Sequence, residues 1–361
     1  MRRPSIITRH LAREVVLGTG ILLLAFLGLF GFFDFVNELE DIGKGGYGVV
    51  DAMVYVLLLQ PGRVYELLPI VVLIGSLYAL TTLARHSEIT VMRASGMSTG
   101  RMLRTLAAIG SVFVALTFVF GELIAPPAER AAQKWRLAAT GSAVSSQLES
   151  GLWVKDGSNF INVGTVFPDG TIHGVRIYRF SDDRRLESVS VARRGAFDER
   201  RSVWILSDLT ETRFVEDAVQ LVQHERYAWV SQLTPDVLSV LLVSPERMSL
   251  TTLMTYISHL RDNRQDTQRF EIALWKKLTY PLAVFVMMAL ALPFALVHDR
   301  MGAVSVKVFL GVMLGIGFHM LNGLFGNLGV INAWPPWLAA LTPSALFLLA
   351  AMAMLLRVER R

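Results

Sequence analysis

Apolar and polar positions divide this chain into long hydrophobic runs separated by charged breaks. Six runs are Val15 to Phe33, Leu67 to Ala84, Leu103 to Phe120, Leu278 to Val297, Val308 to Ile331 and Trp337 to Leu356. At about 1.5 Å per helical residue, each reaches across most or all of a hydrocarbon core about 30 Å thick. Val49 to Leu59 is apolar but short, and is expected in or near the membrane interface. From Arg130 to Gln265 no run is long enough to span. Arg130 to Ala139 reads as a helix leaving the membrane. Trp153 to Phe160 then predicts a strand, a turn at Asp156-Gly157 and a second strand. Gly174 to Phe180, Glu187 to Phe197, Ser202 to Asp208 and Val219 to Val230 are rich in β-branched and aromatic residues, with breakers at Asp182-Asp183 and Asp198-Glu199. Short strands at such spacing predict an all-β sandwich or jelly roll. Ser249 is the expected N-cap of a helix returning to the membrane.

The predicted fold class is therefore a polytopic α-helical membrane protein. It has six transmembrane helices and an extramembrane all-β, jellyroll-like domain between helices 3 and 4. The expected divisions are 1–129, 130–265 and 266–361.

Composition agrees: 53% of the 361 residues are hydrophobic and 18% charged, against about 25% charged in soluble domains. The net charge is +5, but in a membrane protein the placement of Lys and Arg carries more than the sum, and nucleic-acid binding does not follow from it. The first apolar run is long and lacks a cleavage pattern, so it is not expected to be a removable signal. With the amino end inside, the inner segments hold Arg2, Arg3, Arg9, Arg13, Arg85, Arg93, Arg101, Arg104, Arg300, Lys307, Arg357, Arg360 and Arg361. The opposite short loops hold Lys44 and Arg63. The positive-inside rule places the β-domain outside the cytoplasm. Trp275, Trp334 and Trp337 then form an outer interfacial belt.

That topology puts Ala84 to Ser98 on the cytoplasmic side. It is too polar to span, and Glu88/Met92 and Arg85/Glu88 fall at helical spacing. Ser95-Gly96 ends it, with Gly96 suited to a left-handed cap. Two readings stand: a surface connector, or a short helix that receives force from a soluble partner.

Chemical motifs are sparse. The chain has no cysteine, hence no disulfide and no thiolate nucleophile or metal site. No phosphate-binding G-x-x-x-x-G-K-[ST] occurs. His224-Glu225 lacks the second histidine of H-E-x-x-H, and no serine nucleophile elbow is read. Neither a metal site nor catalysis by this chain is expected.

Three constellations remain. Gly311, Gly315 and His319, with Asn322 one step off, recur at helical spacing, as close packing or as a seam toward a partner or a lipid-like molecule. Lys44, Arg130, Lys134, Arg136, Lys276 and Lys277 fall near the outer boundary, where they either snorkel or meet anionic headgroups. Glu88, flanked by Arg85 and Arg93, is the acid of the inner helix.

Several segments resemble the lipopolysaccharide export permeases, the LptF/LptG family, over essentially the full length. They are Tyr65-Glu-Leu-Leu-Pro69, Arg85 to Gly96, Gly121-Glu-Leu-Ile-Ala-Pro126, Gly151 to Gly157 and Asn159-Phe-Ile161. The Trp-x-Lys-Asp-Gly element looks like the LptG branch rather than LptF. The resemblance implies a subunit of an ABC transporter in the bacterial inner membrane, binding no cofactor of its own. Implied partners are LptF, a dimer of the ATPase LptB that uses ATP and Mg, LptC, and LptA in the periplasm. Lipopolysaccharide is the implied substrate. The resemblance also implies spans one and five as gates, Glu88 as the coupling acid and Arg136 as a lipid-phosphate contact. Where some members carry adjacent lysines after span one, this chain has Glu40 and Asp41, with Lys44 a turn on. Alternatives outside this reading are the LptF-type subunit and a membrane-anchored periplasmic enzyme or receptor.

Overall fold

The structure, a computed structural model, describes residues 6–140, 151–167, 170–181, 183, 185–215, 218–231, 233–235, 244–296 and 304–360. Arg2, Arg3, Asp182, Arg300 and Arg361 lie outside them. The helices are α1 (Ile6–Glu38), α2 (Val49–Arg85), α3 (Glu88–Ala94), α4 (Thr99–Val119), α5 (Ala125–Thr140), α6 (Leu250–Asp262), α7 (Gln268–Thr279), α8 (Ala283–Leu296), α9 (Val304–Ile331) and α10 (Pro336–Glu359). They supply six helical runs long and apolar enough to cross a membrane.

Two of these runs are longer than the hydrophobic pattern predicts. Val49–Leu59 is not a separate interfacial piece but the first third of the 37-residue α2. The pattern is broken by Gln60-Pro61-Gly62-Arg63 and Glu66, yet the helix continues through Pro61 and Pro69. Neighbouring helices bond two of the polar groups in this stretch. Arg63 is held by Asp34 of α1, and the Tyr280 hydroxyl donates to the Glu66 carbonyl at 2.5 Å. Likewise α4 does not stop at Glu122. A π-turn at Phe120–Ile124 joins it to α5 in one helical run, Thr99–Thr140, which continues through Pro126 and Pro127.

Helix α2 is the axle of the bundle. Its most apolar window is 78% buried, against 17% for those of α1 and α9. Those two helices therefore present most of their apolar surface outward. They touch α2 through small residues. A Cβ added at Gly75 would lie 2.7 Å from the Thr19 Cα, so α1 and α2 cross in near backbone contact.

The β-domain is one antiparallel sheet with strands paired in sequence order: β1 (Leu152–Asp156), β2 (Asn159–Val166), β3 (Ile172–Phe180), β4 (Leu186–Asp198), β5 (Val203–Val215) and β6 (Ala218–Trp229). The first turn lies between Asp156 and Asn159, with Gly157 at φ 61°. One face is apolar, built from Leu152, Val154, Ile161, Val175, Leu206 and the wholly buried Trp204, whose indole N–H donates to the Leu233 carbonyl at 2.6 Å. The Gly157 N–H donates to the Asn263 side chain just after α6, tying the first hairpin to the returning helix.

Candidate functional site

The stretch around Glu88 is a short helix slung under the bundle. Ser87 takes a left-handed φ of 61°, so the chain breaks between α2 and α3. Arg85 ends α2 and Glu88 opens α3; the expected Arg85/Glu88 pair on one helix face is not formed. Ile89 and Met92 are buried against the bundle core with Met97 and Met102. That anchors α3 and leaves Val91 and Arg93 exposed. Gly96, at φ 91°, ends the helix as its sequence predicts, and the Met97 N–H returns to the Met92 carbonyl at 3.1 Å. The Glu88 carboxylate lies 3.0 Å from Nε2 of His10, on α1. No spacing signal pointed to His10, because 78 residues separate the pair.

One correction concerns serine chemistry. Gly96-Met97-Ser98-Thr99-Gly100 does have the G-x-S-x-G spacing. It joins two helices rather than a strand to a helix, and Ser98 is the N-cap of α4, accepting from the Arg101 N–H. The geometry of a nucleophile elbow is absent here.

The rim cations divide into engaged and free. The Arg136 Nε is 2.8 Å from Glu38; its guanidinium also bonds Asp41 and lies 5.5 Å from the centroid of the Tyr55 ring. Lys44 pairs with Asp41 at 2.5 Å. Lys276 donates to the Asn322 backbone carbonyl at 2.8 Å, and the buried Lys277 to that of Met248. Arg130 and Lys134 are exposed on α5 and form no ion pair among the described residues. Two cations that pattern reading passed over are also engaged. Arg63 makes a bidentate contact with Asp34, at 2.6 and 2.9 Å, and Arg247 bonds Glu129 at 2.6 Å.

The stripe on α9 packs inside this chain. A Cβ at Gly311 would fall 2.5 Å from Leu77, and one at Gly315 2.5 Å from Ile70, both on α2. The buried row continues through Phe318, Gly326 and Gly329. Asn322 is partly buried and its amide bonds the Phe318 carbonyl. His319 is exposed, one position off the row. Among the described residues no three His, Asp or Glu gather as a metal site.

Six membrane-crossing helices, an inserted β-domain and a short helix offered at the opposite end define a multi-pass membrane protein of the permease type. The family model for the lipopolysaccharide export system permease LptF/LptG matches residues 9–357. The chain belongs to that family: it is a permease subunit of lipopolysaccharide export, not the catalytic one. It is 34% identical over 360 residues to the lipopolysaccharide export system permease protein LptG of Escherichia coli (strain K12), covering 99% of both chains. It is 29% identical over 340 residues to the LptG of Haemophilus influenzae (strain ATCC 51907 / DSM 11121 / KW20 / Rd), covering 94% of this chain and 95% of that one.

Proposed function

We propose that this chain is the LptG-type half of the membrane channel of an ABC transporter. In this reading it lies in the bacterial inner membrane with its β-domain in the periplasm. It pairs with LptF, binds an LptB dimer on the cytoplasmic side, and works with LptC and LptA. Lipopolysaccharide is drawn from the outer leaflet into a cavity between the two permease subunits and passed toward the outer membrane. ATP and Mg are handled by LptB. The full-length match to the LptG relatives carries the reading.

The geometry supports particular roles. Helix α3 is anchored by Ile89 and Met92 and offers Glu88, Val91 and Arg93 outward, which suits a rigid docking knob for the ATPase. Arg130 and Lys134 pair with no acid among the described residues, so they are the rim cations best suited to lipid phosphates. Arg136 and Lys44 are already paired with Glu38 and Asp41, so a headgroup there competes with those acids. Helices α1 and α9 carry the outward apolar faces that a gate requires.

Affinity purification of the tagged chain in mild detergent tests the assignment. LptF, LptB and lipopolysaccharide are expected to come with it. Recovery of the intact chain with neither an ATPase nor a second permease would overturn the reading.

A further inference from the structure

The polypeptide leaves the membrane along α5 and returns through residues 244–250 into α6. The returning segment is held by side chains of the membrane helices. Both carboxylate oxygens of Glu122 accept the Leu250 N–H, at 2.9 and 3.0 Å. The N-terminus of α6 thus has two caps, its own Ser249 on the Thr252 N–H and a carboxylate from another helix, which the helix dipole also favours. Lys277 of α7 donates to the Met248 carbonyl and stands 3.9 Å from Glu122. Arg247 bonds Glu129 of α5 at 2.6 Å.

Glu122 reaches α6 from within the π-turn at 120–124. Such turns insert one residue into an α-helix and often mark functional sites. This one sets Gly121 so close to the Tyr65 ring of α2 that a Cβ would lie 2.5 Å from it. One turn of helix therefore registers α4–α5 against α2 and aims a carboxylate at α6. A small pocket open to solvent adjoins the site, and its cations Arg63, Arg247 and Lys277 all have protein partners. A satisfied polar network of this kind stiffens a junction.

We propose that Glu122 and Lys277 are positioning residues that lock the return segment of the β-domain to the membrane bundle, so that a helix shift in the bundle moves the β-domain with it. This rests on the permease reading above. The test uses the whole complex in proteoliposomes, comparing wild type with Glu122→Gln, Glu122→Ala and Lys277→Met. Two quantities are measured: lipopolysaccharide delivered to the soluble bridge protein per ATP hydrolysed, and the distance distribution between spin labels at Arg193 on the β-domain and Val112 on α4. Glu122→Ala should assemble, hydrolyse ATP within about twofold of wild type, deliver at least about tenfold less lipid per ATP, and broaden the label distances. Glu122→Gln keeps an acceptor for the Leu250 N–H and should lose about twofold. If Glu122→Ala fails to assemble, Lys277→Met decides by the same measures. Wild-type delivery and label distances in the assembled variant would overturn the lock. A wild-type complex that hydrolyses ATP and moves no lipid would instead overturn the permease reading on which it rests.

Discussion

At the end of the bundle facing the β-domain, Arg136 lies against Glu38 and Asp41, Arg63 against Asp34 and Glu66, and Arg247 against Glu129. At the opposite end Arg85, Arg93, Arg101 and Arg104 are exposed, and none forms an ion pair among the described residues. The contrast follows from burial. Glu38, Glu129 and Lys277 are each less than 9% exposed, and a charge there must have a partner. The cations at that opposite end stay in water at little cost and remain available to another molecule. Buried charge at one end is closed upon itself, beside the exposed Arg130 and Lys134; the other end keeps its exposed cations available to a partner.

The sharpest way to break this comparison is to invert the inner acid. Glu88→Lys should lower both LptB recovery and lipid transport by about tenfold or more, since it puts a cation among cations and removes the His10 contact. Undiminished recovery with unchanged transport-linked ATP turnover would remove α3 as the docking element.

Arg136→Glu examines the closed end. It sets three acids together and should destabilise the protein by roughly 3 kcal/mol, the lower end of the range for breaking a buried pair, seen as a lower melting midpoint in detergent. Lipopolysaccharide photocrosslinking should also fall. Arg130→Glu should reduce crosslinking with an unchanged midpoint. Equal midpoints for the two variants would erase the distinction between engaged and free cations.

Gly315→Leu drives a side chain into Ile70 and should cost about 1–3 kcal/mol as an overpacked contact, measured as reduced thermal stability of the purified chain. Wild-type stability would mean that α9 is not seated on α2 as described.

The smallest effect concerns pH in the β-domain. A hydrogen bond from Arg213 holds the Glu211 carboxyl below its ordinary value of 4.5. The fold favours the ionised form, so the stabilisation is fully present above the ordinary value and fades as pH falls through the lowered one. Amide exchange in β5 and β6 should accelerate in that acid window, and Glu211→Gln should flatten the dependence. An unchanged profile in the variant would exclude this pair as its source.

Much of the fold was legible from period and composition. Long apolar runs predict spans because backbone polar groups in lipid must bond within a helix. Alternation along β1 and Ser249 before α6 are local signals that the structure reproduces. The continuity of α2 was not legible. Gln60, Arg63 and Glu66 interrupt its apolar pattern, and the Asp34 contact that satisfies Arg63 lies 29 residues away. The rim cations looked alike in sequence. Whether each faces solvent, a carboxylate or a backbone carbonyl depends on which helix passes beside it.

Residue order alone thus sufficed for the number of spans, the place of the inserted domain and the family resemblance, since each rests on composition or on short-range pattern. The packing of Gly311 and Gly315 on α2, the reach of His10 to Glu88 and the capping of α6 by Glu122 were settled by tertiary contacts. Those join residues 78 to 245 positions apart, and no local propensity records such distances.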